Sequence, residues 1–213
     1  MKKVFWLAVI ALVFIGFAVG FVTQRSFKVE SYQNIDGYSV YPRPLYFDEE
    51  ELADEIDKVD FIAEVIFTGE RFTAYYGCKS IVEVECVFRG DTSLVGKCIA
   101  VFEPNYFENN PDDYRLISNF NLMQTNQSYY VFLLKRKYMD AYQNSLQYYE
   151  FMPYPKNFSI MSKTTTSHVP LDSNKIYYFK DISEYEFVFT SEDEFEKVKT
   201  FKESLIDKYC ISK

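Results

Sequence analysis

One histidine, one tryptophan and four cysteines are all that the 213 residues hold of those three types. A zinc site built on His168 would draw on Cys78, Cys86, Cys98 and Cys210, and no two of these have the two-residue spacing of zinc-binding pairs. The seven glycines are scattered and form no phosphate-cradling loop. Basic residues are also few: 23 Lys and Arg stand against 31 Asp and Glu, a net charge of −8. Residues 1–22 contain Lys2 and Lys3 and no acid, so 21 basic and 31 acidic side chains follow them, a net of −10. That sign repels nucleic acid and anionic lipid surfaces, and nucleic acid is not an expected partner.

Catalytic patterns are equally scarce. Ser167, His168 and Asp172 in "TTTSHVPLD" supply triad residue types, but triad members meet in space, and nearness along a chain is no evidence for one. No serine sits in a nucleophile-elbow glycine pattern, so His168 is expected in a loop. The stretch "FENNPDDY" (107–114) is rich in oxygen ligands but lacks the alternation and glycine of an EF-hand, and reads as a polar turn. No catalytic residue, metal or cofactor is expected.

What the chain does have begins at its N-terminus. From Val4 to Val22 no side chain is charged or strongly polar. As a helix this run would span about 28 Å, close to the hydrocarbon thickness of a bilayer. Residues 1–22 therefore read as a transmembrane anchor or a signal segment. Ala18-Val19-Gly20 offers the small residues a signal peptidase reads, with cleavage near Gly20 releasing a secreted protein. The apolar run is longer than a secretory signal needs and favours the uncleaved anchor, with the membrane as partner through residues 4–22. Lys2 and Lys3 bias it toward N-inside, leaving the C-terminal domain extracytoplasmic.

Residues 23–47 read as a stalk, with Pro42 and Pro44 enforcing extended chain. Residues 48–213 read as one domain. Asp48 and Glu51 have the spacing of a capping box at the start of a short helix. Strands follow, of which "SIVEVECVFRGD" (80–91) is the plainest: Val82, Val84, Cys86 and Phe88 fall on one face, Glu83, Glu85 and Arg89 on the other, and Val87 breaks the pattern. The other strands are expected over 59–72, 96–104, 127–138, 146–155, 157–162 and 174–182, with Gly69 marking a bend or bulge. A C-terminal amphipathic helix is expected over about 191–209, capped by Ser191 and Glu194, with Phe195, Val198, Lys202, Leu205 and Tyr209 on one stripe. The fold class is mainly β with α: an N-terminal transmembrane helix, a small barrel or sandwich over about 59–182, and the C-terminal helix.

The succession "DFIAEVIFTGERF", "IVEVECVFRGD", "GKCIAVFEP" and "NLMQTNQSYYVFLLKR" resembles extracytoplasmic, membrane-anchored OB-like barrels of Gram-positive bacteria, similar to the netrin and metalloproteinase-inhibitor type. The resemblance implies an OB-like barrel outside the cytoplasm. The inhibitors begin at a cysteine and are rich in disulfides, which this chain does not share, so no inhibitory residue carries over. If the second and third strands form a hairpin turning near residue 92, Cys86 and Cys98 come opposite one another as a candidate disulfide. Aromatics crowd 138–158, and Tyr142, Tyr148, Tyr149, Phe151 and Tyr154 are the candidate partner-binding residues, since Tyr gives contact area at low entropic cost. The expected function is a non-catalytic binding or scaffolding module, with a protein or cell-surface partner. An exported hydrolase or thiol enzyme and an accessory subunit of a membrane complex are the alternatives.

Overall fold

The computed structural model describes residues 39–41, 47–74, 77–110, 113–117, 119–135, 149–154, 158–164, 166–172 and 175–210. The apolar segment 4–22 lies outside them, as do Tyr142 and Tyr148. Among the described residues no helix is long and apolar enough to cross a membrane.

Five strands close into a barrel: β2 (Phe61–Ala74), β3 (Gly77–Arg89), β4 (Cys98–Glu103), β7 (Ser128–Lys135) and β8 (Tyr149–Pro153). Hydrogen bonding runs β2–β3–β4–β8–β7 and returns from β7 to β2. Every barrel pair is antiparallel except β4 with β8. A short strand β9 (Ile160–Ser162) pairs with residues 129–131 of β7, beside the stretch of β7 that holds β8. A second sheet combines β1 (Ser39–Tyr41), β5 (Tyr106–Asn110), β6 (Asp113–Ile117) and β11 (Tyr177–Tyr178) in the order β11-β1-β6-β5. β10 (His168–Pro170) and β12 (Phe187–Phe189) form a small parallel pair.

Closure depends on irregularities in β2 and β3. Val82 faces Phe67 and Val84 faces Val65 across the ladder, after which Glu85 is an extra residue and Cys86 faces Glu64. A second extra residue, Phe88, falls between Val87 (opposite Ala63) and Arg89 (opposite Ile62). Each bulge shifts the alternation by one residue and sharpens the twist a small barrel needs. The strict two-residue period thus holds only as far as Val84. Val87 turns inward against the barrel core, and Phe88 turns outward to meet Tyr130. On β2, Thr68, Gly69 and Glu70 together face Ile81, and Gly69 has φ +91°, a backbone state that glycine adopts without penalty.

Three apolar clusters follow from this geometry. The barrel interior is filled by Phe61, Val65, Phe67, Val84, Val101, Val131 and Phe151, among others. On the outer face of β2 and β7, Ile62, Tyr130 and Phe132 pack beneath helix α1 (Glu49–Ile56), β12 and helix α3 (Glu192–Leu205). A third cluster joins Val40 of β1, Cys78 of β3 and Leu122 to Phe179 and Ile182 of the short helix α2 (Phe179–Ile182).

Several expectations are corrected. The polar turn expected over 107–114 is a hairpin whose arms β5 and β6 pair from Tyr106–Ile117 to Asn110–Asp113. Residues 39–41, expected in the stalk, pair with β6 and β11. The strand expected over 174–182 is two residues of β11 followed by α2. Asp48 caps α1 by accepting from Glu51 N at 3.0 Å, whereas Ser191 stands at the N-cap of α3 with no side-chain capping bond. α3 ends at Leu205 and continues as a wider π turn over Ile206–Cys210.

Candidate functional site

Among the described residues the barrel interior is packed with Phe and Val side chains, and the charged groups gather at its ends and outer faces. The described residues carry two buried carboxylates there. Glu103, at the end of β4, has a side chain 1% exposed. Its Oε1 accepts from Arg71 Nε at 2.9 Å and from the Ser80 hydroxyl at 2.5 Å, and its Oε2 accepts from the Met123 amide at 2.6 Å. Arg71 also donates to the Met123 carbonyl at 2.6 Å, so one ion pair holds both backbone groups of Met123 and ties the 119–127 loop to the barrel. Cys78 Sγ lies 3.5 Å from Glu103 Oε1.

The second carboxylate is Glu186. Lys202, in the middle of the apolar stripe of α3, donates to its Oε2 at 2.7 Å and to Thr166 Oγ1 at 3.0 Å. The Ser162 amide donates to Oε1 at 2.7 Å. Burial pushes the Glu186 carboxyl up to about 7 and holds the Lys202 ammonium below its usual range. Glu186 also reaches a cleft of about 60 Å³ bordered by Asn121, Gln124 and Tyr129, room for a few waters at about 10–15 Å³ each.

The thiols are not arranged for attack. Burial, then the neighbouring Glu103, pushes the Cys78 thiol well above its usual range. Burial raises Cys98, with Glu83 and Glu70 adding to it, and pushes Cys210 to about 12. An activated cysteine needs the opposite shift. The expected pairing of Cys86 with Cys98 is corrected by the register: Cys98 faces Glu83, Cys86 faces Glu64, and all four cysteines are free. Cys86 lies three residues along β3 from Glu83, the residue that Cys98 faces.

His168 lies in β10 and not in a loop. Its ring stacks on Phe195 with centroids 3.8 Å apart, and its Nε2 is 2.9 Å from Glu192 Oε2, though without the angle of a hydrogen bond. The Ser167 hydroxyl accepts from the Glu186 amide at 3.3 Å, so serine and histidine are directed to different partners. Among the described residues no three His, Cys, Asp or Glu side chains gather as a metal site.

Of the aromatic candidates, Tyr149 is 49% exposed at the start of β8, on the side of the strand that carries Phe151, with Lys135 Nζ 5.3 Å from its ring centroid. Met152, 38% exposed, shares that strand, and Glu150 between them pairs with Lys79 at 3.1 Å. Phe151 is corrected: it points into the barrel, 3% exposed, with its ring 4.8 Å from Phe61. Tyr154 is half-buried against the outer cluster. Met152 was missed, because no periodicity argument separates the faces of a segment with prolines near its end. The Glu186–Lys202 pair was also missed, although a lysine within an apolar helical stripe is a readable signal of a buried partner. No protein-family model matches the chain, and no characterised protein matches it.

Proposed function

We propose that the protein is a membrane-anchored, extracytoplasmic OB-like barrel that catalyses nothing and binds a protein or cell-surface partner through exposed side chains of β8. The filled barrel interior supports this reading, because it leaves recognition to exposed side chains of β8: Tyr149 beside Lys135 at the start of the strand, and Met152 beside Glu150 on its other face. The OB-like assignment is supported by the ladder order: numbered within the barrel, the strands run 1-2-3-5-4 and close on 1, a five-stranded arrangement with a crossover before the fifth. The buried thiols of Cys78 and Cys210, pushed up by burial, and a cleft with room for a few waters favour binding over chemistry. The membrane anchor rests on the apolar run 4–22.

A photo-crosslinking residue placed in the full chain at Tyr149, at Met152 or at the exposed Val95, in intact cells, tests the reading. The same crosslinked product from positions 149 and 152, absent from position 95, is expected. Equal products from all three positions, or none from 149 and 152, would remove β8 as the recognition surface.

A further inference from the structure

Three of the most exposed large apolar side chains of the described residues lie together, away from β8. β1 and β11 are antiparallel, with Ser39 opposite Tyr178 and Val40 opposite Tyr177. Continuing that register sets Tyr41 across from Ile176. Val40 and Tyr177 pack inward against the third cluster, so the alternation turns Tyr41, Ile176 and Tyr178 to the other face, around Ser39, which is buried between its neighbours there. All three are exposed there, at 37%, 66% and 43%. We propose that this Tyr41–Ile176–Tyr178 face rests on the headgroup layer of the membrane that holds residues 4–22.

The inference depends on the membrane-anchor reading above and adds a docking surface to it. The occupant follows from where the chain enters this sheet. Only residues 23–38 separate Val22 from β1, a connection of at most roughly 55 Å when fully extended. A face carried next to that tether meets the bilayer at high effective concentration, so even a small apolar patch is held there. Tyrosine suits the position, since it is enriched at membrane–water interfaces, where ring and hydroxyl each meet a matching environment. The charges around the patch have both signs: Lys175 and Lys180 are exposed beside Asp172 and Asp181, and Lys180 Nζ lies 6.0 Å from the Tyr178 ring. A mixed rim matches a zwitterionic headgroup, whereas a dedicated anionic-lipid site would be basic throughout.

The test uses the full-length chain in phosphatidylcholine vesicles, with Trp6→Phe removing the single native tryptophan. Ile176→Trp places a reporter on the face, and Val95→Trp places one in the exposed β3–β4 turn as a reference. Lipids brominated high on the acyl chain should quench the reporter at position 176 several-fold more than that at 95, and its emission should be the bluer of the two. If the chain floats with the vesicles but both reporters behave as exposed to water, the face is not on the membrane, while the anchor stands. Failure to float overturns the anchor and this inference together. Shielding at position 176 without bromolipid quenching, growing with protein density, would assign the face to a second copy of the chain and also overturn the inference.

Discussion

Through the middle of the barrel the inward positions of β2, β3, β4, β7 and β8 are apolar or tyrosine, whereas the barrel's end and the shell around it bury two carboxylates, Glu103 and Glu186, each against a cation. The middle of the barrel buries mostly apolar surface, opposed chiefly by conformational entropy, and its Tyr129 hydroxyl accepts from the Gln124 amide. The barrel's end and the shell remove charge from water and must return hydrogen bonds for it. Glu103 receives a planar guanidinium, a hydroxyl and a backbone amide. Glu186 receives a point-charge ammonium and one amide, and its carboxyl is pushed up to about 7 by burial. What separates the regions is tolerance: the middle of the barrel supplies no partner for a charge, and the barrel's end and the shell accept one where partners are supplied.

The sharpest way to break that contrast is to put a carboxylate where no partner exists. Val84 is 1% exposed in the barrel interior, and Glu85, the bulged residue next to it, is exposed. Val84→Asp is expected to cost roughly 4 kcal/mol or more, enough to unfold a domain of ordinary stability. Glu85→Lys is expected to change stability by less than about 1 kcal/mol. Urea melts of the two variants check this, and equal damage from both would mean that the bulge does not turn Glu85 to solvent.

A smaller effect tests the shell. Lys202→Met leaves Glu186 with the Ser162 amide but no cation, and because that carboxyl takes up a proton readily the expected loss is about 2 kcal/mol. Adding Glu186→Gln keeps an acceptor for Ser162 and removes both charges; this double variant is expected within about 1 kcal/mol of the native chain, or more stable. The native chain should also respond to pH where the double variant does not. With the folded value of Glu186 near 7 and the unfolded value near 4.5, the folded chain keeps a proton that the unfolded chain has released. Stability from this group is present below about 4.5 and lost as pH rises to about 7. Lys202 acts in the alkaline range: its lowered folded value returns stability as pH rises from there toward 10.5. Melts at acid and neutral pH, native minus double variant, read out the first effect; a difference that grows with pH would show the carboxyl to be stabilised as an anion.

The interior was legible in the sequence and the shell was not, for a physical reason. Alternation in "SIVEVE" is a local consequence of one face meeting a core, so Val82 and Val84 declare themselves. The succession of such strands fits a barrel or a sandwich alike, and only the resemblance to OB-like barrels pointed to closure. The bulges at Glu85 and Phe88 were not, because an extra residue shows only against the register of the partner strand; Val87 was its one visible trace. β1, β10 and β12 are three residues each and pair across long separations, too short for a period to appear. The same limit hid the ion pairs. Arg71 and Glu103 are 32 residues apart, and Glu186 and Lys202 belong to elements whose packing no local pattern fixes.

The smallest effect concerns His168, where the shell holds an ionisable ring by stacking more than by charge. Its contact with Phe195 is face to face at 3.8 Å with planes 16° apart, while its carboxylate neighbour Glu192 is 65% exposed. A solvated partner contributes little, so Glu192→Gln is expected to change stability by less than about 0.5 kcal/mol. His168→Ala removes the stack and should cost about 1 kcal/mol, and His168→Phe, which keeps a ring on Phe195, should recover most of that. The phenylalanine variant also separates structure from chemistry, because it retains packing and abolishes any proton transfer. A folded His168→Phe protein that supports normal growth of its host is the expected outcome for a binding module. Loss of the cellular phenotype with unchanged melting would make the imidazole itself the functional group, and the non-catalytic reading would fall.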